Sequence, residues 1–151
     1  MKLSTKGEYG LRAMLDLALD NQLVASQPLT SKRPDKTFMV MLGEEAGYRW
    51  TINGRIHGEH EAFRARQGER VEMTFMNPTS MMHPMHLHGH DFRVIAEDGH
   101  PLPQPRIVNT LDIAPGKTYD IDFIADNPGV WVFHCHELHH TTNDGVEPGG
   151  L

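Results

Sequence analysis

Read for the spacing of its apolar positions, the chain divides near residue 35. Leu11, Met14, Leu15, Ala18 and Leu19 recur at helical spacing, with Glu8, Arg12, Asp16 and Asp20 opposite and Ser4 or Thr5 placed to cap the start, which predicts a helix from about Thr5 to Leu19. The stretch ASQPLTSKRPDKT that follows is rich in Ser, Thr, Pro and Lys and reads as a linker. From Phe38 the period changes to two. Phe38, Val40 and Leu42 form one run, and Tyr48, Trp50 and Ile52 a second, closed by the turn Asn53-Gly54. Ala62–Ala65 is a short third candidate. Val71, Met73 and Phe75 alternate with polar neighbours until Asn77-Pro78 ends the run. Another run passes through Phe92, Val94 and Ile95, and the stretch EDGHPLPQP after it reads as a loop. Short strands are expected at Ile107–Leu111 and through Tyr119, Ile121 and Phe123, with a last strong one over Val130–His136. Seven or eight short strands with little helix predict a two-sheet antiparallel sandwich or barrel over residues 36–151, preceded by a helix and linker over 1–35. Trp50, Trp131, Phe75, Phe123 and Phe133 are the core candidates.

Composition narrows the class. The 151 residues suffice for one ordinary domain. A net charge of −6 gives no electrostatic footprint for nucleic acid, and the absence of an eighteen-residue apolar run predicts no membrane span. The start has a basic residue, but its apolar part is interrupted by charges, so no export signal is read. Cys135 is the sole cysteine, which excludes an internal disulfide and leaves the compartment undetermined.

Histidine is concentrated. Eight of the eleven lie in two segments about fifty residues apart, HPMHLHGHDF (His83–Phe92) and VWVFHCHELHH (Val130–His140), the second enclosing Cys135. Imidazole with thiolate suits copper, zinc or iron. In a strand, residues two apart share a face. Trp131, Phe133 and Cys135 are therefore expected on the core side, and His134 and His136 on the other. His86 and His88 share a face, while His83 reaches the opposite one and His140 folds back toward the sulfur. Two sites follow: one of His83, Cys135 and His140, the ligand set of a blue-copper centre, and one of His86, His88, His134 and His136, suited to further copper ions. Asp91 and Glu137 are candidate acceptors for ligand imidazoles. His57, His60, His90, His100 and His139 are expected to be without a metal role. Met81, Met82 and Met85 crowd the first cluster as gap fillers or soft sulfur donors.

The two motifs, with WTINGR, GERVEMTFMNPTSMMHP, IAPG and ADNPGVWVFHCH, strongly resemble the C-terminal cupredoxin domain of the multicopper oxidases, the laccase-like enzymes, over about residues 36–151. The resemblance implies a cupredoxin-like Greek-key β-sandwich or barrel. It implies that His83, Cys135 and His140 hold the mononuclear blue copper. His86 then matches a ligand of the mononuclear member of a trinuclear cluster, and His88, His134 and His136 match ligands of its coupled pair. Electrons from a phenol, an aromatic amine or a metal ion would pass through Cys135 to His134 or His136 and on to dioxygen, reducing it to water. The family uses eight histidines from two domains for that cluster, and this chain offers four. A two-fold homodimer would supply eight at one interface. Without that pairing, the motifs imply a single-copper electron carrier or a non-catalytic partial domain. The family's axial position falls on Gly145, and Leu151 is the expected non-bonding axial neighbour. The family domain continues into a final strand beyond Leu151, so either a strand is missing or another segment fills its place. The opening MKLSTKGEYGLRAMLDLAL resembles the first helix of the Rrf2 family of winged-helix transcription regulators. With no recognition helix or wing after it, a cover or oligomer contact is the expected role.

Overall fold

The computed structural model describes residues 33–45, 48–142 and 150–151, and the helix expected over Thr5–Leu19 lies outside them. Among the described residues nine strands follow in order: β1 (Lys36–Glu45), β2 (Arg49–Ile52), β3 (Arg70–Met76), β4 (His83–Leu87), β5 (Phe92–Glu97), β6 (His100–Val108), β7 (Thr110–Ile113), β8 (Thr118–Ile124) and β9 (Phe133–Cys135). They form a six-stranded sheet, in the order β2-β1-β3-β8-β5-β6, and a three-stranded sheet, β7-β4-β9. The topology is cupredoxin-like. Among the described strands the pairings are antiparallel, as expected, except that β1 and β3 run parallel. No helix among the described residues is long and apolar enough to cross a membrane.

Alternation places the core. Val71, Met73 and Phe75 of β3 are buried while Glu72 and Thr74 between them are half-exposed, and Phe92, Val94 and Ala96 repeat the pattern on β5. Met85, Leu87, Leu111, Ile113 and Cys135 from the small sheet join the same apolar cluster as Val40, Leu42 and Trp50 from the large one, so one core lies between the sheets.

Four local expectations are corrected. Ala62–Ala65 forms no strand and runs as exposed irregular chain. The stretch expected as a loop is a hairpin: Asp98 and Gly99, with φ of 49° and 74°, make the turn, and β6 carries Pro101, Pro103 and Pro105. Its place at the edge of the sheet tolerates prolines, because edge positions need not donate to a ladder. The single strand expected over Ile107–Leu111 is broken at Asn109, where the chain leaves the large sheet as β6 and enters the small one as β7. The last strand is three residues long, and Val130, Trp131 and Val132 before it are exposed, with Trp131 outside the core. After β9, Leu151 is buried and bonded to the chain beside it: its N–H donates to the His140 carbonyl at 2.9 Å and its carbonyl accepts from the Cys135 N–H at 3.3 Å.

Candidate metal centre

The pairing of β4 with β9 sets Met85 opposite Cys135, His86 opposite His134 and Leu87 opposite Phe133. The two-residue period then separates the ligands as expected. His83, Met85 and Cys135 turn into the core, while His86 and His134 stay half-exposed on the other face. His140 comes from a 3-10 turn, Leu138–His140, that returns the chain after β9. Gly150 allows the later chain to close over that turn: its φ is 89°, and a side chain there would strike the His140 and Thr141 backbone.

His83, Cys135 and His140 are fully buried, and their donor atoms all lie within 4.8 Å of one another. Cys135 Sγ is 3.8 Å from His83 Nδ1 and 3.5 Å from His140 Nδ1. Among the described residues, no other group of three or more metal-ligating side chains meets this condition. Trp50 walls the site, its ring centroid 3.9 Å from that of His140 and 5.4 Å from that of His83.

The His83 tautomer follows from its neighbours. Its Nε2 is 2.9 Å from the Thr79 hydroxyl, whose one hydrogen has a close acceptor in Asn77 Oδ1 at 2.7 Å. The hydroxyl therefore accepts from Nε2–H, which leaves Nδ1 bare toward the sulfur. Asn77 is itself buried, and its Nδ2 donates to the Met81 and Ile113 carbonyls, fixing the loop before β4. Burial, aided by the nearby His140, lowers the His83 pKa to about 4, and burial also lowers that of His140. Burial pushes the Cys135 thiol up to about 11. Both imidazoles are thus neutral and ready to ligate, and the thiol must lose a proton to do so. His140 Nε2 is buried without a hydrogen-bond partner. Two imidazole nitrogens and one sulfur, enclosed by apolar groups, form a donor set that fits a single mononuclear copper ion.

On the opposite face His86, His88, His134 and His136 come together. Ring centroids are 4.7 Å apart for His86–His88, 4.8 Å for His86–His136, 4.9 Å for His134–His136 and 5.1 Å for His88–His134. His88 Nε2 is 3.0 Å from His134 Nε2. His86 Nδ1 meets the Asn109 carbonyl at 2.7 Å and the Thr110 hydroxyl at 3.0 Å, and His134 Nδ1 meets the Cys135 carbonyl at 3.0 Å. The His134 pKa is lowered, chiefly by burial and further by the surrounding imidazoles, against an opposing backbone bond from Cys135. Trp131, expected in the core, instead lies over Gly89, whose φ of 73° and lack of a side chain admit the indole. Its Nε1–H donates to the Asn127 carbonyl, and Asn127 Nδ2 donates to the Gly89 carbonyl. That clasp fixes the chain just after His88.

All seven sequence-identified residues fall in these two groups. The acceptors expected at Asp91 and Glu137 do not serve the imidazoles through hydrogen bonds here: Asp91 is exposed, and Glu137 caps the 3-10 turn by accepting from the His139 N–H. The orienting groups are Thr79, Asn109, Thr110 and the Cys135 carbonyl. Asn77-Pro78-Thr79, four residues before His83, carries an Asx-turn signal that marks the first of them. His90 lies between Phe123 and Trp131, and His60 Nε2 is hydrogen-bonded to the Arg55 carbonyl. Gly145, the expected axial position, is outside the described residues.

The multicopper oxidase family model matches residues 29–146. Multicopper oxidase MmcO of Mycobacterium tuberculosis is 40% identical over 111 residues, covering 72% of this chain and 21% of that protein. The iron transport multicopper oxidase FET3 of Saccharomyces cerevisiae is 32% identical over 146 residues, covering 83% of this chain and 22% of its own length. Among solved structures, multicopper oxidase mgLAC matches with a TM-score of 0.75 at 32% identity, covering 83% of this chain and 45% of that one. The blue copper oxidase of Nitrosomonas europaea matches with the same TM-score at 29% identity. The chain therefore spans about a fifth of these curated relatives and just under half of these solved chains.

Proposed function

The chain belongs to the multicopper oxidase family, and on that premise we propose that residues 36–151 work as a copper redox unit that takes up and passes on single electrons at His83, Cys135 and His140. The observation that carries this reading is the buried triad, with three donor atoms within 4.8 Å. Copper bound there would supply a one-electron couple. The chain does the rest. Trp50 and the surrounding core exclude water, Thr79 holds the His83 proton on Nε2, and Cys135 gives up its thiol proton on loading. His134 and His136, the chain neighbours of Cys135, provide a short covalent path from the buried site to the opposite face.

A second reading, favoured by the gathering of His86, His88, His134 and His136, is that two chains meet about a two-fold axis and share a cluster that reduces dioxygen to water. A phenol, an aromatic amine or a metal ion would be the reductant. Four imidazoles per chain give eight at such an interface, with the same patch serving both sides.

Copper per chain, measured together with native mass, tests both. One copper per chain with a blue absorption band that Cys135→Ser abolishes is the expected result for the electron-transfer reading. A value near 2.5 per chain in an even oligomer that consumes oxygen supports the shared cluster. A correctly folded protein that takes up no copper at Cys135 overturns both.

A further inference from the structure

Five methionines among the described residues are exposed, and three of them share one patch. Met39 and Met41 point outward from β1, with Val40 and Leu42 buried between and beyond them, and Met76 points outward from the end of β3. Met41 and Met76 are direct partners in the parallel pairing of these strands. Their backbones are then about 4.8 Å apart, and Met39 is displaced from Met41 by roughly 6.6 Å along β1. The neighbouring outward positions, Thr37, Glu72 and Thr74, are polar, as a solvent-facing sheet surface ordinarily is. Methionine is neither a charged solubilising residue nor a preferred strand former. What it brings to three adjacent positions is an unbranched arm ending in soft, uncharged sulfur.

We propose that Met39, Met41 and Met76 form a surface site for a soft monovalent metal cation, with Cu(I) as the biological ion. Three neutral thioethers suit such an ion and not calcium or magnesium, which take oxygen ligands, or zinc, which takes thiolate, imidazole and carboxylate. Asp120 on β8, in register with Thr74, accepts a hydrogen bond from the Thr74 hydroxyl at 2.7 Å and so is already engaged. The site adjoins a cleft of about 420 Å³ lined by Met41, Thr51, Pro78 and Thr79. Thr79 is the residue whose hydroxyl holds His83. The inference rests on the sheet face alone and goes beyond the electron-transfer reading.

Ag(I), redox-inert and equally soft, is the probe, added to the full chain with its methionine methyl groups labelled. The ε-methyl resonances of Met39, Met41 and Met76 are expected to shift together and saturate at one equivalent beyond any taken by Cys135. The variant Met39→Leu/Met41→Leu/Met76→Leu is expected to bind one equivalent fewer of Cu(I) in competition with a chromophoric chelator, while Met82→Leu binds as much as the parent. Unmoved resonances at the three positions, or equal Cu(I) binding by the folded triple variant, would overturn the proposal. Loss of the blue band with the methionine shifts intact would instead count against the electron-transfer reading and leave this one standing.

Discussion

The three buried donors differ in what they do with a proton. His83 is an ordinary imidazole when the chain is unfolded and one with a pKa of about 4 when folded, so between these values the unfolded state binds the proton and the folded state does not. Stability of the copper-free protein is therefore complete above about pH 6.5 and is lost as the pH falls toward 4, by up to about 3 kcal/mol from this residue. His140, shifted in the same direction by burial, adds to the acid loss. Cys135 acts at the other end. Its thiol ionises at an ordinary pH when unfolded and near 11 when folded, so stability falls as the pH rises from about 9 toward 11. Melting temperatures of the copper-free protein should form a plateau between these limits and decline on both sides. Cys135→Ser should remove the alkaline decline and keep the acid one, and an unchanged alkaline arm in that variant would contradict the assignment.

At the scale of elements, β8 carries a buried carboxylate on the face turned away from the core. Asp122 is fully buried and receives Arg70 from β3 at 2.7 Å and Arg93 from β5 through both its oxygens. These two strands flank β8, so one residue ties three adjacent strands of the large sheet together. Asp122→Ala leaves two guanidinium groups facing each other without their carboxylate and should cost about 3 kcal/mol, read by chemical denaturation. Asp122→Asn, which keeps the shape and one acceptor, should cost less. A loss below about 1 kcal/mol for the alanine variant would show that solvent at the two arginines already screens the pair. The same strand shows where alternation informs and where it stops. Its period of two identified β8, β3 and the start of β1, yet gave no reason for Asp122 to be buried, since the arginines that cover it lie 52 and 29 positions away. Prolines hid β6, because their cost depends on whether a strand lies at an edge, which is a property of the assembled sheet. Trp131 was misplaced because β9 begins three residues later than the apolar run suggests, and the indole finds its place over Gly89 instead. Both histidine groups were legible because consecutive donors on a strand separate by parity alone. Asn109 and Trp50 were not, since each reaches its imidazole from another loop or strand.

For the molecule as a whole, the joining of β4 to β9 governs when the metal centre can exist. His83 and Cys135 are 52 positions apart, and His140 is placed by the turn that follows β9. Contacts so distant along the chain form late, after loop closure has been achieved. Until then His134, Cys135 and His136 sit side by side on a flexible segment that already presents a thiol and two imidazoles to any soft metal. Copper bound there would engage the donors in an arrangement that folding must undo, since β9 sends the sulfur inward and both imidazoles outward. Refolding from denaturant with copper present should yield less blue protein than refolding without it and adding copper afterwards; equal yields would show that the early complex rearranges freely. The two faces of β9 thus impose an order in time: a cell that makes this protein gains from withholding the ion until the last strand has docked, so the supply of copper becomes part of the folding pathway.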